Sequence, residues 1–460
     1  MVVAEPMTVV KSMPSAALPI TLDAWLARLE AAHPVGIDLG LERVAEVARR
    51  MGLRDGPIAG RVITVAGTNG KGSTVAMLEA LARAHGLTTA TYTSPHLIRY
   101  NERLRLNGEE ADDATLMAGF VAVERARQDG EPVSLTYFEV GTLGALWAMA
   151  RQPADIAILE VGLGGRLDAV NVIDPDVAVV TTVAQDHAAF LGTDLEQIGR
   201  EKAGILRAGR PAVLGSTSLP ASVREVAAAL GAEVHALGEG FWREGEGEVW
   251  RWTGQGPTGP GDGESPITLS ELPDPGLPLD NAATALQALA LAGVSLEAPA
   301  CRRALPSVQL PGRMQWLGQW CLDVGHNPHA AAYLAGRLAS RPCAGRTFAL
   351  LAMLGDKDAE GVIAALTPVV DGWVTASLAG ARARSADDLA ARLAEQGADV
   401  LHRAASPSAG AAWLVEQLAP EDRVLVCGSF FTVGEVLEWL AQDPATGQTV
   451  DDTSVSEEAR

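Results

Sequence analysis

Short β-branched runs alternate with Ala/Leu-rich stretches of helical spacing along most of the chain. Arg61–Val65 (RVITV) precedes the helical pattern Ser73–His85, and Ala154–Val161 and Asp176–Val183 are apolar runs of strand length. Strands apolar on both faces belong in a parallel sheet covered by helices. The alternation restarts near residue 298. Trp320–Val324 is followed by Pro328–Ala339, Arg346–Leu354 by Ala359–Leu366, Trp373–Ser377 by Ala386–Glu395, and Arg423–Cys427 by Val433–Ala441. This pattern predicts two α/β units, over 21–295 and 300–442, with Gly293–Ala300 as the hinge. Between the two halves, Gly238–Pro266 is rich in Gly and acid and carries Trp242, Trp250 and Trp252, which reads as an exposed hairpin and loop anchored by a few aromatics. Residues 443–460 read as a disordered tail.

Composition narrows the class. A chain of 460 residues is too long for one small domain. The longest apolar stretch, Val140–Ala150, falls well short of the ~18 residues that a membrane helix needs. Glu5 precedes the first lysine, Lys11, and no apolar run follows a basic start, so no secretory signal is expected and the chain reads as cytoplasmic. Four cysteines without CxxC spacing suggest neither a disulfide framework nor a zinc site. The net charge of −21 argues against an extended nucleic-acid footprint. It leaves small anionic substrates open.

The first chemistry-bearing motif follows strand Arg61–Val65. Gly67, Thr68, Asn69, Gly70, Lys71, Gly72 and Ser73 form a glycine-rich turn into a helix. Such a turn aims backbone N–H groups and the positive end of the helix dipole at phosphate. Lys71 can reach β/γ-phosphates, and Ser73 or Thr74 can meet Mg²⁺. Gly72 separates Lys71 from the hydroxyl, a departure from the usual GxxxxGK[ST] spacing. The turn makes the N-terminal unit a P-loop-type, mostly parallel sheet flanked by helices. The C-terminal unit reads as a smaller Rossmann-like α/β domain.

Glu160 falls at the carboxyl end of its strand, where open parallel sheets bind ligands, and His187 follows the next one. If those strands are neighbours, the carboxylate and imidazole both face the phosphate loop and could hold a divalent cation. Each taken alone reads rather as a helix cap or solvated polar group, and it is the pair on successive strands near a phosphate loop that favours the cation. Lys202, in a predicted helix, reads locally as a surface lysine.

Ala66–Thr74 (AGTNGKGST), Thr93–Leu97 (TSPHL), Leu159–Asn171 (LEVGLGGRLDAVN), Asp186-His187, Glu201–Ile205 (EKAGI), Pro311–Arg313 and Asp323–Ala330 (DVGHNPHA) occur in this order. Together they resemble the folylpolyglutamate synthase family of the Mur ligase superfamily, from about Leu22 to about Leu440. Asp38–Arg43 and Thr136–Glu139 resemble the bacterial bifunctional form, which is also a dihydrofolate synthase. The resemblance implies an ATP-dependent amide ligase: ATP phosphorylates a carboxylate of dihydropteroate or of a reduced folate's glutamyl tail, and L-glutamate attacks the acyl phosphate.

The resemblance also implies roles. Gly67–Ser73 would cradle the phosphates of ATP, with Asn281 at adenine and Arg313 and Asp323 as further contacts. Ser73, Ser94, Glu160 and His187 would hold Mg²⁺, in two sites, with room for a monovalent cation. Asp38, Leu39, Gly40, Leu41, Thr136, Tyr137, Phe138, Glu139, Leu167, Asp168 and Ala169 would form the pterin pocket. His326 and Ser429 would face glutamate, with His326 read either as a base or as a structural contact. Lys202 matches a lysine carried as an N-carboxylated residue and metal ligand. A carbamate replaces +1 by −1, which suits a nearby cation as an ammonium does not. A monomer is expected, without nucleic-acid or membrane partners. Two other readings stand beside it. A Mur-type peptidoglycan ligase would need a different N-terminal pocket, and a nucleotide-dependent switch would have no use for a second substrate site.

Overall fold

The computed structural model describes residues 18–32, 38–245, 247, 249–257, 266–380 and 382–442. The expected tail at 443–460 and residues 246, 248 and 258–265 of the central segment lie outside the described residues.

Strand Ala59–Ala66 lies inside an eight-stranded sheet, parallel to Ala154–Glu160 on one side and Val177–Val180 on the other. The first side continues through parallel Thr89–Tyr92 to an antiparallel edge, Leu104–Leu106 and Glu109–Glu110. The second side continues through parallel Pro211–Leu214 and Glu233–Ala236. Both faces are covered, as the apolar runs require. Ile63, Val65, Ile158 and Val179 pack with helices Lys71–Ala84 and Leu279–Leu291. Ala157 and Leu159 pack with helices Glu42–Arg50, Asp113–Gln128 and Tyr137–Arg151. Burying each such Leu or Ile stabilises by roughly 1.5–3 kcal/mol.

Two expectations change. The strands that precede Glu160 and His187 are not neighbours, because the phosphate-loop strand runs between them. Both strands therefore end beside the loop, one on each side. Gly293–Ala300 is no hinge: it leads into helix Ala298–Ala304, whose Cys301 and Ala304, with Leu305, are buried in the same core as helix Lys71–Ala84. Apolar residues at helical spacing pull this segment onto the first unit, whose core also takes Val308, and the second sheet begins at Gln315.

The central segment is an antiparallel three-stranded sheet, Trp242–Glu244, Val249–Gly254 and Ile267–Pro273. Trp250 and Trp252 enter the core while Trp242 stays 40% exposed. The second unit is a six-stranded sheet in the order Gln315–Leu317, Trp320–Leu322, Arg423–Cys427, Thr347–Leu351, Gly372–Ala376, Val400–Ala404. It is parallel except at its first pair. Among the described residues no helix is long and apolar enough to cross a membrane. The loops after the strands of both sheets line one shared cavity of ≈ 1180 Å³.

Candidate active site

The phosphate loop is held by its own atoms. Ser73 Oγ and Thr74 Oγ1 donate to Gly70 O at 3.1 and 2.8 Å, and Lys71 Nζ donates to Gly67 O and Thr68 O at 3.0 and 3.3 Å. Asn69 N donates to Thr182 Oγ1 at 3.0 Å, tying the turn to the adjacent strand end. Gly70 has φ +84°, and a Cβ there would lie 2.8 Å from Asn281 Nδ2. Asn281 Nδ2 in turn donates to Ser73 Oγ at 2.8 Å. Asn281, matched to adenine by resemblance, thus braces the loop here. Burial pulls the Lys71 ammonium below its usual range, opposed by Glu160 and Asp186.

Glu160 stands behind this loop, accepting from Ser94 N at 3.2 Å. Burial raises its pKa, opposed by Lys71. His187, at φ +51° before helix Ala188–Leu191, is pushed down to about 4 by burial, which keeps the imidazole neutral and able to ligate. Lys202 is buried on helix Leu195–Ala203 without an ion pair among the described residues. Burial first, then the charge of Lys71, pushes it down to about 7.

These residues suit a divalent cation of a particular kind. Among the described residues no group of three His, Cys, Asp or Glu could hold a metal alone. Mg²⁺ asks less, because it keeps waters and takes substrate phosphate oxygens beside one or two carboxylates. Glu160, His187 and the hydroxyls of Ser73 and Ser94, around a loop shaped for phosphate, meet that requirement.

The facing wall belongs to the second unit. Asp323 accepts from Met314 N at 2.9 Å and Gly325 N at 2.7 Å, and burial raises its pKa against the opposing charge of Arg313. Arg313 lies over the Phe430 ring, 5.2 Å from its centroid. Ser429 Oγ accepts from Thr432 N at 3.0 Å and so caps helix Phe430–Gln442. His326 Nδ1 lies 2.9 Å from Val324 O and Nε2 3.1 Å from Asp186 Oδ2. Both nitrogens are thus engaged in contacts within the protein.

Asp186, Lys357, Asn327 and Arg103, none of them among the expected site residues, also take part, and the first three link the two walls. Asp186 accepts from His326 and, at 2.5 Å, from Lys357 Nζ. Burial pushes the Asp186 carboxyl up, but His326, His187 and Lys357 hold it well below the usual range. Asn69 and Asn327 exchange amide hydrogen bonds at 3.1 and 2.9 Å. Arg103, buried over the Tyr100 and Tyr137 rings, donates to His96 Nδ1 at 2.8 Å and has no carboxylate partner among the described residues. Lys357 did leave a signal. The 36 Lys+Arg residues include only four lysines, and Lys71, Lys202 and Lys357 all line this one cavity.

The pterin segments come together through Arg43, which pairs with Asp38 at 2.8 Å and Glu139 at 2.7 Å. Thr136 and Glu139 close a capping box at the start of helix Tyr137–Arg151. Tyr137 lines the cavity, and Phe138 packs on Gly162 behind it. Leu39–Leu41 are half-buried beside Arg43. Leu167 and Ala169 flank Asp168, which accepts from Leu163 N at 2.8 Å and Val170 N at 3.0 Å. Burial pushes Asp168 up to about 6.

Two sheets meeting over a phosphate loop, with a second wall of cationic and acidic groups, define a Mur-type ATP-dependent ligase. The Mur ligase middle domain matches residues 65–217, and the Mur ligase glutamate ligase domain matches 312–430. The chain is 44% identical to the dihydrofolate synthase/folylpolyglutamate synthase of Escherichia coli over 436 residues, 94% of this chain and 97% of the relative. It belongs to the dihydrofolate synthase/folylpolyglutamate synthase family. The solved structure of E. coli FolC in complex with DHPP and ADP matches with TM-score 0.85 and 43% identity, covering 92% of this chain and 98% of that one. A bifunctional folylpolyglutamate synthase/dihydrofolate synthase with Mn, AMPPNP and L-glutamate bound matches with TM-score 0.81 and 43% identity, over the same 92% and 98%.

Proposed function

We propose that this chain joins L-glutamate to dihydropteroate, giving dihydrofolate, and to the γ-carboxylate of folate glutamyl tails, each time at the expense of one ATP. The observation that carries this reading is the single cavity in which Gly67–Ser73 faces Arg313, Asp323, His326 and Ser429.

Gly67–Ser73 bind the phosphates, and Lys71 leaves its loop carbonyls for the γ-phosphate as ATP enters. Lys71 and Arg313 supply the positive field that lets an anionic carboxylate approach, the effect that dominates phosphoryl transfer. Mg²⁺ held by Ser73, Ser94, Glu160 and His187 supplies further charge neutralisation when bound. The substrate carboxylate takes the γ-phosphoryl group, and ADP departs from it. The glutamate ammonium gives one proton to solvent, and the free amine then attacks the acyl carbon; the bond from that carbon to the phosphate oxygen breaks, and the nitrogen's second proton leaves with hydrogen phosphate. Asp186, Lys357 and the Asn69–Asn327 pair hold the walls together, which keeps water from the acyl phosphate. Arg43 fixes the two pterin segments, and Tyr137 and Arg103 face the substrate. His326 and Ser429 contact the glutamate carboxylates, His326 as a donor.

Lys202 is read as N-carboxylated. With its pKa near 7, part of the population is free amine, whose lone pair attacks CO₂ to give a carbamate and one proton. The product would add an anionic donor to the cavity that Lys202 lines, which would suit a second divalent ion. A monomer suffices, since one chain supplies both walls. A cytoplasmic setting suits four free cysteines.

The test supplies ATP, Mg²⁺ and labelled glutamate with dihydropteroate or tetrahydrofolate. Label is expected in both pterin products. No label in either sinks the reading, and label only from tetrahydrofolate reduces it to the single activity.

A further inference from the structure

On the far side of the phosphate-loop helix, away from the active-site cavity, lies a second hollow of ≈ 380 Å³. Three guanidiniums from three elements line it: Arg83 from helix Lys71–Ala84, Arg105 from strand Leu104–Leu106 and Arg303 from helix Ala298–Ala304. Its acid is Glu79, only 4% exposed. Glu79 Oε2 pairs with Arg105 Nε at 3.1 Å, which leaves Oε1 buried without a hydrogen-bond partner. Arg83 and Arg303 have no side-chain hydrogen bond or ion pair among the described residues. Arg83 rests on the hairpin turn at Gly108, where a Cβ would collide with Nη1.

The balance of this hollow is unusual for the chain. The protein carries −21 overall, yet here two exposed guanidiniums without an acidic partner among the described residues line one hollow. Like charges at such a spot repel, and an orphaned buried carboxylate oxygen costs about 1–3 kcal/mol. One occupant answers both defects: an anion that accepts from Arg83 and Arg303 while donating one hydrogen bond to Glu79 Oε1. Guanidinium forks match tetrahedral oxyanions. The donor requirement narrows the choice. Hydrogen phosphate keeps a P–OH at pH 8. Sulfate has none, and a phosphate monoester, with its second pKa near ~6, has lost its own.

We propose that this hollow is a second anion site, separate from the ligase centre and selective for inorganic hydrogen phosphate. Ser307, Val308 and Gln309 form its remaining wall, so the bound ion fastens the phosphate-loop helix to the segment that leads into Arg313. The ligase reaction itself releases this ion.

Calorimetric titration of the full chain, saturated with AMPPNP so that the phosphate loop is filled, tests the assignment at pH 8. One phosphate site is expected. Sulfate and glycerol phosphate at equal ionic strength should bind at least about tenfold more weakly. The exposed pair Arg83→Ser and Arg303→Ser should weaken phosphate binding about tenfold or more and leave ADP affinity unchanged. Glu79→Gln, whose amide can donate, should raise sulfate affinity to that of phosphate. Absence of a phosphate site, equal binding of sulfate in the wild type, or phosphate binding that survives the double substitution would each overturn the proposal.

Discussion

The phosphate-loop wall draws Gly67–Ser73 from one turn and satisfies that turn locally, whereas the facing wall gathers Arg313, Asp323, His326, Lys357 and Ser429 from separate loops. The backbone turn of the first wall makes its hydrogen bonds within its own unit. The second completes the site through side chains that cross the gap: Lys357 and His326 to Asp186, and Asn327 and His329 to Asn69. The difference teaches where binding and turnover part company. On the proposed roles, nucleotide phosphates would need mainly the first wall and glutamate transfer both.

Substitutions can break that comparison. Lys71→Ala should reduce turnover by roughly 10³-fold, the loss of a positioned charge at a transferring phosphoryl group. A wild-type rate of labelled-glutamate incorporation would remove Lys71 from the chemistry. Next come the carboxylates of the two settings. Burial raises Asp168 to about 6, above its unfolded value near 3.8. Its protonated form is therefore favoured on folding, an advantage present at low pH and lost as pH rises through about 6. Relative to Asp168→Asn, the wild type should lose up to about 3 kcal/mol between pH 4 and 8 in urea unfolding. Equal pH profiles would contradict this. Asp186, held low by His326, His187 and Lys357 against burial, behaves oppositely: its contribution is full above about 3.8 and fades only in stronger acid.

Lys202→Ala should cost about 100-fold in turnover, the scale of a lost metal-site partner, with part of it restored by acetate or propionate. Intact mass without the added CO₂, together with no rescue, would count against the carbamate. The smallest effect belongs to the crossing contact. Lys357→Ala should lower turnover about tenfold and leave ADP affinity within about twofold, because it cuts a tie between the walls and leaves the loop's own hydrogen bonds in place. Equal loss in both would show that the walls are not separable.

Much of this was legible in the sequence. The glycine-rich turn after RVITV announced the phosphate loop because its chemistry is local, and the recurring β-branched and Ala/Leu stretches announced two layered sheets. Helices Ala359–Leu366 and Ala386–Glu395 fall where their spacing predicts. What escaped depends on distance along the chain. Asp186 and Lys357 lie 171 residues apart, and nothing local marks either as a partner. Strand order escaped for the same reason, since apolar runs reveal burial but not neighbours. The hinge was misplaced because Gly293 marks a helix end, and Cys301, Ala304 and Leu305 were short apolar signals easily passed over. Asn281 matched a base contact by position, yet its amide direction is set by Ser73 and Gly70.

The scarcity of lysine has a practical side. None of Lys71, Lys202 and Lys357 is exposed, and among the described residues no other lysine exists. Lys11 apart, acylating reagents and aldehydes that usually decorate a protein's surface will find their side-chain amines here only inside the catalytic cleft. In a Lys11→Arg variant, side-chain labelling should be slow and should fall when nucleotide is bound. Attaching that variant to a support through its lysines would silence it.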